Sequence, residues 1–392
     1  MEIFRNDCES WEGARPCSFQ RKDMVKGCEN CIYYNPVLGN VLLVEAGGLG
    51  SILRTSVVSK EIKNKHPNFR IQWLTHEGGA ELLQHIPSVD GALITTPETL
   101  YVLEAQRFDT VINFESLPIY LALTAKLKAE KKFGFTMSDI GNLDLADNTS
   151  ANLLRWQTDD YYRQRLNTKS VQRLLIEACG YEWSDQNYDL ITRVDDDEKI
   201  NNLVRQHIIN YSEKTRFVGL NIGSSLKHNA KRWDPKKYYE LAQKINSDDS
   251  TNDVEFFILA GPEEVVAYEE IKKMHTELGL KTLHLLGREQ SVSEFLSLIK
   301  RCDIVISADT FGMHAAIGLN KRVISLHGPQ PQQEILLSND SGAKIHLNLE
   351  CSPCFAGQNT DCPNKVQAKC MTDIQVGQVA EVLSKELYLL NK

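Results

Sequence analysis

From about residue 40 the chain alternates short apolar runs with longer segments of helical spacing. Residues 41–44 (Val-Leu-Leu-Val) are apolar without interruption, which predicts a strand buried on both faces. Gly47-Gly48-Leu49-Gly50 then turns the chain, and Ile52, Val57, Val58 and Ile62 recur at helical spacing as far as about Lys65. Strands are predicted next at 71–74, 92–95 and 110–114, most of them separated by helices. The alternation breaks after Phe135. Residues 136–168 are polar and mixed and read as a long irregular segment carrying Arg155, Trp156, Tyr161, Tyr162 and Arg163. A helix is predicted over 169–178, ended by Gly180, and the charged stretch 183–216 reads as a connection holding one solvated helix.

A second series of strands follows at 218–222, 254–260, 283–286, 304–307 and 323–326, again with helices between them. Residues 373–390 close the chain as a helix by the spacing of Ile374, Val376, Val379, Val382, Leu383 and Leu387. That helix is expected to return toward the first domain. The fold class is therefore α/β: two Rossmann-like, doubly wound parallel-sheet domains facing a cleft, with cysteine-rich, metal-bound extensions. Expected bounds are 1–36 for an N-terminal extension, 37–185 for the first domain, 186–216 for the connection, 217–350 for the second domain and 351–392 for a cysteine cluster with the terminal helix. Ligands of such sheets bind at the carboxyl ends of the strands, so motifs there carry the functional question.

Three segments meet that condition. Ser307-Ala308-Asp309-Thr310-Phe311-Gly312-Met313-His314 leaves a strand and enters a helix. A helix start offers N–H groups and a positive dipole end, which suit a diphosphate. Asp309 can accept hydrogen bonds from sugar hydroxyls; on the plainer alternative, Asp309 or Thr310 only caps the helix. Asn221-Ile222-Gly223-Ser224-Ser225, followed by Lys231-Arg232-Trp233, also leaves a strand. Ser224, Ser225 and Lys231 can hold phosphate oxygens, or the segment is a solvated basic loop with Trp233 in the core. At Gly261-Pro262-Glu263-Glu264 a carboxylate can hold a ribose, or the acids simply favour a helix N-terminus.

Those segments, in that order, resemble glycosyltransferase family 9, the ADP-heptose heptosyltransferases. The resemblance covers roughly residues 38–385 and implies a GT-B fold with the donor held mainly by the second domain. It implies donor contacts from Asp309, Thr310, Gly312, Met313 and His314, from Ser224, Ser225 and Lys231, and from Glu263 or Glu264. The family carries an aspartate after the first Leu-Gly, as the base that takes the acceptor's proton. Here Ser51 stands at that position, and a serine has no pKa suited to the task. Glu45, Glu77 or Glu115 can take it over. Asp309, Lys231, Glu45 and Glu115 are thus the candidate catalytic residues, for an inverting transfer without a catalytic metal. The implied partners are a nucleotide-sugar donor, ADP-heptose first, and a glycan, protein or small-molecule acceptor. A nucleotide-sugar epimerase, or a catalytically weakened sugar-binding or scaffold protein, are the alternative readings. A plain nicotinamide-dependent oxidoreductase fits less well, because the first glycine turn lacks a clean G-x-G-x-x-G.

Composition narrows the field further. The 392 residues carry a formal net charge of −8, which argues against a nucleic-acid binder. No basic region precedes an apolar run at the N-terminus, and no uninterrupted apolar stretch approaches the ~18 residues of a membrane span. A cytoplasmic protein is the expectation, with oligomerisation left open. Of the ten cysteines, eight are grouped: Cys8, Cys17, Cys28 and Cys31, then Cys351, Cys354, Cys362 and Cys370. Each set has one C-x-x-C pair and two further thiols, the donor set of a tetrahedral four-thiolate site for zinc or iron. Two structural metal ions, remote from the donor diphosphate, are expected. The C-terminal set is similar to that of the autotransporter heptosyltransferases, a branch of the same family whose cysteine cluster holds iron, which puts iron beside zinc, the first choice on ligand chemistry.

Overall fold

The computed structural model describes residues 4–13, 15–23, 27–208, 212–223, 230–247, 253–337, 341–354, 362 and 368–390. The chain divides into two compact units. The first is Met1–Ala46, Val58–Ala151 and Ala178–Gly180; the second is Gly47–Val57, Asn152–Glu177 and Tyr181–Lys392. Residues 47–57 and 152–177, expected with the first domain, therefore group with the second.

The first unit holds a six-stranded sheet: β1 (Gly39–Val44), β2 (Phe69–Thr75), β3 (Gly91–Ile94), β4 (Arg107–Asn113), β5 (Lys128–Met137) and β6 (Leu143–Leu145), in the order β3-β2-β1-β4-β5-β6. All pairings are parallel except β5 with β6. Val41 to Val44 are buried on both faces, as the uninterrupted apolar run requires. The hydrophobic pattern did not announce β5, because Lys128, Glu130, Lys131 and Lys132 interrupt its apolar positions. Only near its end, at Phe135, does the strand enter the core. The core on one side of this sheet gathers Leu42, Val44, Leu74, Phe108, Val111 and Leu123.

The second sheet repeats the plan with β7 (Arg216–Asn221), β8 (Val254–Leu259), β9 (Leu283–His284), β10 (Ile304–Ala308), β11 (Arg322–His327) and β12 (Gly342–His346). Its order is β12-β11-β10-β7-β8-β9, all parallel. In each sheet the first strand of the series lies beside the fourth. The strand order therefore reverses between β1 and β4, and again between β7 and β10, and such reversals open the crevices in which doubly wound sheets bind ligands.

Three expectations change. Residues 136–168 are not irregular: they contain β6, the helix Ala151–Thr158 and a π-helical turn, Tyr162–Leu166. Polar side chains hid these short elements from a periodicity test. The terminal helix, Val376–Leu390, expected to return toward the first domain, groups with the second unit and packs on its core. It buries Val379, Ala380, Leu383 and Leu387 in the second unit's core, beside Trp233 and Tyr238, and Arg322 Nε donates to Glu386 at 2.7 Å. The N-terminal extension holds more local structure than its sparse apolar content suggested. Val37 N–H donates to the Asp7 carbonyl at 2.7 Å, the Tyr34 hydroxyl to the Asp7 carboxylate at 2.5 Å, and Phe19 stacks on Tyr33 at 4.2 Å. No helix among the described residues is long and apolar enough to cross a membrane.

Candidate functional site

The second sheet's reversal places the ends of β7 and β10 side by side, and with them two of the three segments singled out in the sequence. Asn221, the last residue of β7, donates through Nδ2 to Ser307 Oγ and to Thr310 Oγ1, each at 2.7 Å. These bonds tie the β7 end to the turn after β10. Thr310 stands at the N-cap of the helix Phe311–Gly318, but its side chain makes no capping bond there. The simple capping alternative therefore fails for Thr310. Gly312 follows because a Cβ at that position would meet the Asn221 amide at 2.7 Å. At Gly50 the fit is tight but less strict: a Cβ there would lie 3.2 Å from the His314 ring.

Asp309 is the electrostatic centre. Lys231 Nζ lies 3.1 Å from Asp309 Oδ2, and His314 Nε2 lies 3.3 Å from Oδ1, with all three side chains largely buried. Burial alone would raise the Asp309 pKa, but the Lys231 ammonium and the His314 hydrogen bond outweigh it and hold the carboxyl well below its usual range. Burial has the opposite consequence for His314: it pushes the imidazole below its ordinary value, Asp309 pulling back and Arg54 adding to the depression. The site thus holds a carboxylate, an ammonium and a neutral imidazole. Lys231 does not sit in a solvated basic loop. Trp233 beside it is buried, its indole N–H donating to the Ile374 carbonyl at 3.0 Å.

A cavity of about 190 Å³ adjoins this centre, lined by Leu49, Asn221, Gly223, Gly261, Glu264, Gln290, Phe295, Thr310, Phe311 and Gly312 among others. The two adjacent glutamates separate here. Glu264 is buried and accepts from Gly261 N–H at 2.8 Å, while Glu263 is exposed and lines no part of the cavity. Phe295 and Phe311 stack with ring centroids 6.0 Å apart on the apolar side. A pocket with an aromatic wall and one carboxylate, beside an ammonium and a helix start, can take a nucleoside with its phosphates. Met313 is fully buried, so its side chain belongs to the core rather than to the cavity. Ser224 and Ser225 lie outside the described residues. Phe295, Phe311 and Gln290 were not legible as wall residues, since apolar helix positions give no sign of facing a cavity.

The first unit's reversal brings Glu45, after β1, beside Glu115, after β4. Glu115 Oε1 accepts from Ala46 N–H at 2.7 Å, and Glu45 is buried. Burial raises the pKa of the nearby Tyr120; the Thr95 hydroxyl opposes the rise and both carboxylates add to it. Glu77 stands apart, exposed in the first turn of the helix after β2. Ser51, grouped with the second unit, accepts from Arg54 Nη2 at 3.1 Å.

The cysteines gather as two sets. Cys8, Cys17, Cys28 and Cys31 line one small cavity of about 30 Å³ with Trp11, Phe19, Tyr33 and Tyr34. Burial, then the neighbouring Cys354, Cys351 and Cys362, push the thiol of Cys370, in the second set, up to about 12. This set was expected far from the donor segment, yet it sits on the same sheet edge, one strand away. Cys354 N–H donates to the carbonyl of Pro329, two residues beyond β11, at 3.1 Å. Among the described residues no disulfide is formed, and no three His, Cys, Asp or Glu side chains are arranged to hold a metal ion.

Comparison with known proteins agrees with this geometry. Residues 101–364 match the model of glycosyltransferase family 9 (heptosyltransferase). Lipopolysaccharide heptosyltransferase 1 of Campylobacter coli is 21% identical over 311 residues, covering 74% of this chain and 84% of that protein. The structure of the E. coli ADP-heptose LPS heptosyltransferase II superposes with a TM-score of 0.66 at 15% identity, covering 90% of this chain and 100% of that one. TibC, the iron-containing dodecameric glycosyltransferase of enterotoxigenic E. coli, gives a TM-score of 0.52 at 12% identity, covering 90% and 77%. At such identities the structural likeness speaks for the fold, while the family match spans two thirds of the sequence, including Asn221, Lys231, Glu264 and the segment from Asp309 to His314: the chain belongs to glycosyltransferase family 9, the heptosyltransferases.

Proposed function

We propose that the protein transfers a heptose from ADP-heptose to an acceptor hydroxyl, with inversion at the anomeric carbon. The observation that carries this reading is the buried Asp309–Lys231–His314 group beside an aromatic-walled pocket at the β7/β10 reversal. The adenosine enters the 190 Å³ cavity against Phe295 and Phe311, with Glu264 toward the ribose. The diphosphate lies at the start of the helix Phe311–Gly318, near Lys231. As the glycosidic bond breaks, negative charge grows on the departing diphosphate, and donors already in place stabilise it without reorganising. Asp309 orients the sugar and fixes Lys231.

The acceptor's proton goes to a carboxylate of the first unit. Glu115 and Glu45 flank that sheet's reversal, whereas Glu77 is exposed beyond it. Glu115→Gln is expected to lower kcat by roughly 10²–10⁴, the usual contribution of a general base. Ser51→Ala should cost less than about tenfold, since a serine supplies no base near neutrality. Steady-state kinetics with pH profiles for both variants would check this. A dead Ser51→Ala enzyme beside a fully active Glu115→Gln enzyme would overturn the assignment.

The cysteine sets support a structural role for metal. Their donor chemistry is uniform, four thiols in each set, and the first set lines one small cavity, although among the described residues no three of these thiols stand at metal-holding positions. Cys8, Cys17, Cys28 and Cys31 would hold one ion, and Cys351, Cys354, Cys362 and Cys370 another. A closed thiolate site contributes folding free energy and leaves no open coordination position for catalysis. TibC is iron-containing, and zinc suits the same donors. Elemental analysis of anaerobically purified protein should find close to two ions per chain, and chelation should lower the melting temperature. Metal-free protein of unchanged stability would reject the role.

A further inference from the structure

The hydrogen-bond chain behind the Asp309 group determines more than packing. The Tyr188 hydroxyl lies 2.8 Å from His314 Nδ1, and Gln172 Nε2 lies 3.0 Å from the same hydroxyl. Gln172, Tyr188 and His314 are all almost fully buried, so their polar atoms depend on partners within the protein rather than on water. Tyr188 belongs to the segment that leads into the second unit's main body. Its neighbours pack on the helix that carries His314: Asn187 Nδ2 donates to the Ile317 carbonyl at 3.3 Å and to Asn320 Oδ1 at 2.9 Å.

The directions of these bonds follow one from another. The Asp309 carboxylate can only accept, so the ring nitrogen facing it, Nε2, carries the proton. The groups around the imidazole are the Asp309 carboxylate, the Arg54 and Lys231 cations, and the Tyr188 phenol. Two cations and burial keep the ring from taking a second proton, so Nδ1 is bare and must accept. Tyr188 therefore donates its only hydroxyl proton to Nδ1. Its oxygen must then face a donor, which is the Gln172 amide nitrogen. The amide oxygen of Gln172 is left buried without a partner among the described residues.

We infer that Tyr188, oriented by Gln172, is a positioning residue that locks His314 in its Nε2–H tautomer and thereby holds the Asp309 carboxylate in place for the donor. This rests on the donor-site reading for its effect on transfer, but the tautomer itself does not. Without the phenol, the imidazole is free to turn over, which presents a ring carbon to Asp309, or to move its proton to Nδ1, which presents a bare nitrogen; either change loses the bond to the carboxylate.

The first test is nitrogen NMR of the full chain labelled with ¹⁵N-histidine, read near neutral pH and assigned with His314→Gln. The expected His314 signal is a neutral ring protonated on Nε2. Tyr188→Phe, or Gln172→Met if the first variant is unstable, should split or shift that signal toward the other tautomer. A parent ring protonated on Nδ1 or on both nitrogens, or a signal unchanged by both variants, would overturn the proposal, whatever the protein's activity. The second test separates positioning from bulk packing. Tyr188→Phe should lower kcat/KM for ADP-heptose by roughly tenfold in the parent, the scale of one buried hydrogen bond lost. In a His314→Gln background it should add less than about twofold, because the phenol acts through the ring. Equal losses in both backgrounds would make Tyr188 merely structural and overturn the proposal.

Discussion

Asp309→Ala is expected to lower transfer by about two to three orders of magnitude and to weaken donor binding by roughly 2–4 kcal/mol. The reason lies in what the substitution leaves behind. Lys231 and His314 both depend on the Asp309 carboxylate, at 3.1 and 3.3 Å, and none of the three is more than slightly exposed. Removing the carboxylate leaves an ammonium largely buried beside a cavity, where it is costly unless an anion replaces its partner. The donor diphosphate is such an anion, so part of the lost affinity returns as a misplaced diphosphate. Affinity for ADP alone should therefore fall less than affinity for the whole sugar nucleotide. Calorimetric titration with both ligands would show the difference. Equal, parent-like affinities for both would remove Asp309 from the site.

The second large effect concerns stability. Arg163 and Glu334 form a buried two-pronged ion pair, with Nε to Oε1 at 2.6 Å and Nη2 to Oε2 at 3.0 Å. Trp156 also donates its indole N–H to Glu334 Oε1 at 2.8 Å, and the Arg163 guanidinium lies 4.3 Å above the Trp156 ring. This group fastens the helix Ala151–Thr158 and the π-helical turn to the segment after β11. Glu334→Gln leaves the guanidinium buried with a neutral partner and should cost about 3–5 kcal/mol in urea unfolding. The double variant Arg163→Met with Glu334→Leu should recover most of that, because it removes both charges together. A loss below about 1 kcal/mol in the single variant would mean that water reaches the pair.

Much of this was legible in the chain, and what was not had physical causes. Strands buried on both faces, such as β1, β7 and β10, announce themselves as apolar runs. β5 and β12 did not, because Lys128 to Lys132 and Lys344 break the run. The strand–Asp–Thr–helix segment pointed to Asp309, Thr310 and His314, since ligands gather at the carboxyl ends of strands. Sequence alone did not separate Glu264 from Glu263, because adjacent residues at a helix start point in different directions. It did not disclose Tyr188 or Gln172 either: a tyrosine and a glutamine among polar neighbours become partners only when two distant segments pack on one helix. Arg163 and Glu334, 171 positions apart, were hidden for the same reason.

The central claim is that the pocket at the β7/β10 reversal takes ADP-heptose as the donor. Titration of the purified full chain with ADP-heptose, in parallel with a UDP-sugar, addresses it most directly. The expected result is saturable binding of one ADP-heptose per chain, at least about tenfold tighter than the UDP-sugar, with ADP-heptose binding weakened by roughly 2–4 kcal/mol in Asp309→Ala. Failure to bind ADP-heptose, or tighter binding of the UDP-sugar, would contradict it.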